Sequence, residues 1–473
     1  MEKVSLNLAV DSIAVYGDNK IPMVGTPAGW PENRYFDKSF SIFHFTPEEI
    51  KEKFNVEFPI HWPEVSEEIK ESVGYRIFPH ASATHFPKEY LDLNYNTVDY
   101  YIENKQEFVY LIHVLDDTLF KQPVFKLNPK VVEQVVNKKA KVLIFFPAEG
   151  YINHIPPLLW LNEFSDLNNL NRKTLIFTHA NLTLDKAIAE AVNQNIPIKF
   201  KNLPVNYFEY NPWFIMSPHH ASNRQALLPF LDEYIQENRK KKFRKHFNVL
   251  NRRPHLHRIY TYSEIKSVPI LDKNCEISLG TEKIFDREPV VEHFKTTATK
   301  YKEYEGNYQY IKRHNFDLPV ELDTNLLENR AGEFNRDFYK NTFCSLTVET
   351  AVNINQLFLS EKTFKPIFNL QPFLLYGNQY SLHHLQELGY KTFSDYWDES
   401  YDHIGDYHVR LKKISSIMQD ICTWSDDKLY KITQELEPIL IHNFNNFMYN
   451  TRFYEYTKQI GKVKKPKVKV NLI

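Results

Sequence analysis

From residue 130 onward the chain repeats a pattern that few folds can accommodate. Apolar runs of strand length alternate with segments of helical spacing: "VVEQVVNKK", "KVLIFFPAEG", "PPLLWLNEFSDLN", "KTLIFTHAN", "TLDKAIAEAVNQN", "IPIKFKNLP". Strands that are apolar at every position, rather than at alternate ones, are covered on both faces. Interleaved with helices, they predict a parallel sheet sandwiched between helical layers. Sheets of that kind bind ligands at the carboxyl ends of their strands. The residues at those ends therefore carry the information: Glu149 after the first run, and Thr178 and His179 at the end of the second.

A dense basic run, "ENRKKKFRKH" at 237–246, reads as a solvated linker, and a second alternation follows it. "FNVLNRRPHLHR" predicts strand, turn and helix. "KNCEISLG", "NTFCSLTVET" and "LQPFLLYG" predict strands, "SLHHLQELG" a helix closed by Gly389, and "YKTF" a short strand. Residues 403–460 read as mostly helical, kinked or divided at Pro438. Ahead of residue 110 only "EFVYLIHVL" (107–115) has the look of a core strand. "FTPEEIKEKFNVEFP" and "PEVSEEIKESVGY" suit short amphipathic helices, and "PHASATHFP" a loop. The expected architecture is α/β, with two Rossmann-like domains facing a cleft. It divides into an N-terminal region of unclear fold (1–110), a first domain on the acceptor side (111–240), a second domain (241–400), C-terminal helices (401–460) and a basic tail (461–473). The cleft is the default place for a ligand.

The length of 473 residues calls for more than one core. With a net charge of −1, a protein built to wrap nucleic acid is not indicated. Only 12 glycines are present, and neither GxGxxG nor GxxxxGK[ST] occurs, so phosphate recognition by a glycine-rich loop is not expected. Three scattered cysteines, Cys275, Cys344 and Cys422, exclude a disulfide framework and a Cys-rich zinc site. The histidines, in "PHASATH", "PHH" (218–220) and "HH" (383–384), have no metal-binding spacing, so no metal is expected. No apolar run of spanning length and no signal-peptide pattern are seen. The expectation is a cytoplasmic protein with no integral membrane contact.

Charge is concentrated at two places in the second alternation. In "NVLNRRPHLHR", Arg252 and Arg253 fall in the turn after a strand, with Arg258 about one helical turn further on. A helix start favours an anion, and guanidinium groups add bidentate phosphate recognition. In "LSEKTFKPIFNLQPFLLYGN" (359–378), Ser360 is a plausible N-cap with Glu361 and Lys362 in the first turn. Glu361 suits the helix dipole; Lys362 opposes it unless it meets an anion or a carboxylate. Pro366 falls beyond the first turn and should kink or shorten the helix. Upstream, Glu349 ends a buried strand, where it would bind hydroxyls or pair with a cation. Downstream, Gly377 suits a close approach of the backbone to a ligand. In the first domain, Glu149 beside Gly150 is placed to take a proton from an acceptor hydroxyl.

These segments, in this order over about 246–390, resemble the family 10 α-1,3-fucosyltransferases, which have the GT-B fold. The carriers are "FNVLNRRPHLHR", "FCSLTVET", "LSEKTFKPI" and "QPFLLYG". Thr350 stands where that family has Asn. "SEKTFKPI…PFLLYG…LGYKTFSDYWDESYD" also looks like sugar transferases encoded by bacteriophages. The resemblance implies that Lys362 with Arg253 or Arg258 holds a donor pyrophosphate. It also implies that Glu361 and Glu349 hold sugar or ribose hydroxyls, and that Glu149 acts as the base. The implied activity is an inverting, metal-independent transfer from a nucleoside-diphosphate sugar, with no cofactor, to a glycan or modified-DNA acceptor. Two other readings compete: a phage DNA glycosyltransferase acting on hydroxymethylated pyrimidines, and a non-catalytic glycan-binding protein of the same fold.

Overall fold

A computed structural model describes residues 4–10, 12–16, 19–23, 91–113, 123–146, 155–171, 173–179, 189, 193, 224–240, 243–251, 254–280, 287–314, 336–354 and 357–449. The chain divides into two compact units, Met1–Pro212 with Thr451–Ile473, and Trp213–Asn450.

The first unit is built on strands β1 (Val4–Val10), β4 (Leu91–Thr97), β5 (Phe108–His113), β6 (Ala140–Phe146) and β7 (Leu175–His179). They form one parallel sheet in the order β4-β1-β5-β6-β7. A separate antiparallel hairpin joins β2 (Ser12–Tyr16) to β3 (Asn19–Met23). The apolar runs expected to be strands are strands, and helices Pro129–Val136 and Ile155–Leu167 follow β5 and β6. Buried Phe125, Trp160 and Phe164 stack into the core beside this sheet. Residues 1–110 differ from expectation in one respect: they supply two strands of the main sheet. "VSLNLAV" and "LDLNYNT" alternate apolar with polar side chains. Their Asn7 and Asn94 side chains bond each other at 3.1 Å, and Asn7 bonds the Glu107 carbonyl at 2.9 Å. The two segments "FTPEEIKEKFNVEFP" and "PEVSEEIKESVGY", and the strand "IPIKFKNLP", lie outside the described residues. Of "TLDKAIAEAVNQN" only Ala189 and Asn193 are described, both helical.

The second unit holds β8 (Lys245–Asn251), β9 (Cys275–Leu279), β10 (Thr342–Val348) and β11 (Phe373–Tyr376). All pairings are parallel, in the order β11-β10-β8-β9. The chain runs from β8 outward to β9, then crosses back over to β10 on the other side, so the strand order reverses between β8 and β10. At such a reversal the connections leave in opposite directions and a crevice opens at the carboxyl ends.

The boundary expected near residue 240 falls inside this unit. Helix Arg224–Arg239 packs on the long helix Asp426–Tyr449. Arg239 forms a two-point pair with Glu437 (2.8 and 2.6 Å), and Asn238 donates to the Leu370 carbonyl at 2.8 Å. The basic run is thus fastened to the fold: Arg244 pairs with the buried Glu276, and Lys245 donates to the Lys273 carbonyl. Pro438 does not divide the last helix, which runs unbroken through it. "YKTF" is not a strand; it follows helix Ser381–Glu387 as a coil, whose Lys391 amide is taken by Asn443 at 2.7 Å. Gly389 has φ 84, so it closes that helix as expected.

Candidate functional site

The reversal point between β8 and β10 is where charged side chains gather. Behind β8, helix Leu256–Ser267 brings His257 and the buried Arg258 in its first turn. Behind β10 come Glu349 and Thr350. Helix Glu361–Phe368 then starts with its N-cap Ser360, whose Oγ accepts from the Lys362 amide at 3.3 Å. The cap is the one read from "LSEK". Pro366 lacks the amide that would bond the Lys362 carbonyl, and the helix ends two residues later. Its closure uses Pro366 directly: the Gln371 amide donates to the Pro366 carbonyl (3.0 Å) and the Leu370 amide to that of Ile367 (3.2 Å). Leu370 has φ 51, so this is a Schellman closure with leucine at the left-handed position.

Glu349 is completely buried and organises the site from within. Its Oε1 accepts from the Ser360 amide at 2.9 Å and from Thr363 Oγ1 at 2.5 Å; Oε2 accepts from the Thr350 amide at 3.2 Å. Its own amide donates to the Tyr376 carbonyl at 3.0 Å. The carboxylate expected to hold ligand hydroxyls is here occupied by the chain's own donors. It latches the start of helix Glu361–Phe368 to the end of β10. Its carbonyl accepts from His257 Nε2 at 2.9 Å, and the Arg258 guanidinium approaches that carbonyl at 3.5 Å.

Among the described residues of this cluster, Lys362 is a cation within reach of solvent, with 22% of its side chain exposed. Its ammonium meets Glu361 Oε1 at 2.6 Å, Ser360 Oγ at 3.2 Å and Thr350 Oγ1 at 3.3 Å. Burial acts to raise the Glu361 carboxyl. The charges of Lys362 and Lys365 outweigh it, and the group is held below the ordinary range. Burial, followed by the neighbouring charge of Arg258, pushes His257 down to about 3, with Lys362 adding to the effect. His257 is therefore a neutral imidazole that donates through Nε2, and the charges of Arg258 and Lys362 both act on it. Two guanidinium or ammonium groups, a helix start and small hydroxyls at one carboxyl edge form a focus for an anion.

Of the residues expected in the site, Arg258, Glu349, Ser360, Glu361 and Lys362 are brought together. Gly377, at the end of β11, borders them. A Cβ there would come within 2.6 Å of Ser381 Oγ, so the close approach that requires glycine is to the chain's own turn. Arg252, Arg253 and Glu149 lie outside the described residues. The sequence reading missed His257 and Thr363, and took Thr350 only as a departure from the family's Asn. Among the described residues no three His, Cys, Asp or Glu side chains gather in a way that would hold a metal ion. No helix among them is long and apolar enough to cross a membrane.

No family model matches the chain, and no curated protein matches it by sequence. Among solved structures, α,α-trehalose 6-phosphate synthase from Burkholderia multivorans is similar over 77% of this chain and 75% of its own, at 7% identity and a TM-score of 0.36. That likeness is loose, and what the site can do rests on its own side chains.

Proposed function

We propose that the second unit is the nucleotide-sugar half of a GT-B glycosyltransferase, which moves a sugar from a nucleoside-diphosphate donor to an acceptor hydroxyl. The observation that carries this reading is the convergence of Arg258 and Lys362, with Ser360 and Thr350, at the strand-order reversal of a parallel sheet. The motif order shared with family 10 α-1,3-fucosyltransferases supports it.

In the proposed reaction Glu149 takes the proton of the acceptor hydroxyl. The hydroxyl oxygen attacks the anomeric carbon from the face opposite the diphosphate, the carbon–oxygen bond to the diphosphate breaks, and the anomeric configuration inverts. Negative charge grows on the leaving diphosphate. Lys362 and Arg258, joined by Arg252 or Arg253, meet that charge, so side chains do the work a metal ion would otherwise do. Lys362 exchanges its bond to Glu361 for one to phosphate, which frees the Glu361 carboxylate for a donor hydroxyl. Glu349 takes no ligand; it positions the helix start that carries Lys362.

A thermal-shift screen of GDP, UDP and CMP species, followed by donor turnover, tests this. A bound nucleotide at 100 times its dissociation constant stabilises by about 2.7 kcal/mol. Lys362→Ala should lower turnover at least tenfold, because a charged hydrogen bond contributes roughly 1.5–3 kcal/mol. No stabilisation by any nucleotide, or a variant within threefold of the unaltered protein, defeats the reading.

A further inference from the structure

The turn that leaves β11 has a backbone strain that packing does not account for. Asn378 to Ser381 is closed by the Ser381 amide on the Asn378 carbonyl at 3.2 Å, and Ser381 Oγ donates to the same oxygen at 2.7 Å. Tyr380 occupies the third position with φ 67 and ψ 21. This is the left-handed region, in which glycine or asparagine sits readily and a bulky side chain does not. The ring fills no core: Tyr380 is 42% exposed, while Asn378 and Ser381 are 4% and 1% exposed. His403 and His383 make T-shaped contacts with it at 5.5 and 6.4 Å, and the residue keeps 42% of its surface exposed.

The surroundings hold the backbone of that turn in place. The Tyr380 amide donates to the Asp402 carbonyl at 2.8 Å, and the Asp402 carboxylate accepts from the Leu382 and His383 amides at 2.9 and 3.0 Å. Arg410, 1% exposed, donates to the carbonyls of Val352, Ile404 and Gly405 at 2.9, 2.7 and 3.2 Å, and to that of Gly377. One buried guanidinium thus ties the loop after β10 to the turn after β11. A Cβ built on Gly377 would lie 3.6 Å from Glu349 Cγ, so the turn borders the carboxyl-end cluster.

We propose that Tyr380 is a stacking platform for the base of a nucleotide whose phosphates are held at Lys362. The inference rests on the nucleotide-sugar reading of that site. A nucleoside-diphosphate sugar has one planar aromatic part, its base, and an exposed tyrosine face complements it whatever the base is. Strain in a fixed backbone beneath a solvent-facing aromatic is what a ligand contact, rather than stability, would select.

The experiment compares the unaltered protein with Tyr380→Gly, Tyr380→Asn and Tyr380→Phe in direct binding measurements. The probes are GDP, UDP and CDP, and inorganic pyrophosphate as the ligand without a base. Glycine and asparagine relieve the left-handed backbone, so those variants should melt no lower than the unaltered protein. They should bind nucleoside diphosphates about tenfold or more weakly, with pyrophosphate affinity unchanged, and phenylalanine should restore nucleotide affinity. Nucleotide affinity within twofold in both Tyr380→Gly and Tyr380→Asn overturns the inference alone, as does an equal loss for pyrophosphate. If the unaltered protein binds neither nucleotides nor pyrophosphate, the reading of the Lys362 site falls and this inference with it.

Discussion

At the amino half of the second sheet, Asn248, Thr342, Ser345 and Gln371 form a buried network of neutral groups. Asn248 donates to the Phe338 carbonyl (3.1 Å) and Thr342 Oγ1 (2.9 Å), and its Oδ1 accepts from Ser345 at 2.7 Å. Gln371 donates to the carbonyls of Tyr339 and Thr342 at 3.1 and 2.9 Å. At the carboxyl end of the same strands stand the buried Glu349, Glu361 and Arg258 with the half-buried Lys362 and His257. Both ends fasten β8, β10 and the segment entering β11. The neutral end closes on itself, so it fixes strand register and offers a ligand nothing. The charged end keeps Lys362 part-exposed, on bonds that an arriving anion can replace. A sheet can therefore be specified at one end and functional at the other, and the two ends should respond differently to the same treatments.

Acid should separate them most. Burial leads the causes that depress His257 at the charged end, to about 3, against an ordinary value of 6.5; His408, in helix Tyr407–Ile421 and part of neither network, is depressed to about 4 for the same reason. The unfolded chain then binds protons that the folded chain refuses. Stability is full above about pH 6.5 and falls as pH drops toward 4, by on the order of 3 kcal/mol at His257 and by less at His408, where solvent screens the charge. Urea unfolding at pH 7 and pH 4.5 reads the loss directly. His257→Asn should remove part of the pH dependence, whereas Asn248→Ala should leave its size unchanged.

Next in size is Glu349→Ala, which strands the Ser360 and Thr350 amides and Thr363 Oγ1. A drop of about 3–4 kcal/mol in unfolding free energy is expected, together with loss of nucleotide binding. If binding survived in the folded fraction, the latch would not be what positions Lys362. Asn248→Ala breaks the neutral network at a cost of about 2 kcal/mol. In the protein that remains folded, nucleotide affinity should match the unaltered chain, and a tenfold change would end the contrast between the two ends. The smallest effect belongs to Ser360→Ala, about 1 kcal/mol for a lost helix cap. Because Ser360 Oγ also touches the Lys362 ammonium, nucleotide affinity should weaken a fewfold in the same variant.

The sequence made much of this legible, for reasons visible residue by residue. β5, β6 and β11 could be read because each is a continuous apolar run, as in "LIFF" and "FLLY", and β7 to β10 because short apolar stretches such as "NVL" recur between helical segments. β1 and β4 could not: they alternate Leu or Val with Ser, Asn and Asp, and their place in a parallel sheet comes from pairing between segments 87 positions apart. Ser360 and Lys362 were found because capping is local, confined to a few neighbouring positions. His257 was missed because its role comes from the Glu349 carbonyl, 92 positions away, which no local pattern encodes. Glu349 was found but read as a ligand-facing group, since a strand-end carboxylate looks the same whether it faces a sugar or the next helix.

The strand order of the first sheet bears on how the chain assembles during synthesis. β1 sits between β4 and β5 and pairs with both, Val4 with Leu91 and Leu8 with Val109. It is made before either partner, so a translating ribosome displays an unpaired apolar segment until residues near His113 have emerged. Such a delay slows assembly and leaves the nascent chain open to wrong pairings. The polar Asn and Ser residues in "VSLNLAV", which hid this strand from a pattern search, also keep it from sticking to other chains while it waits.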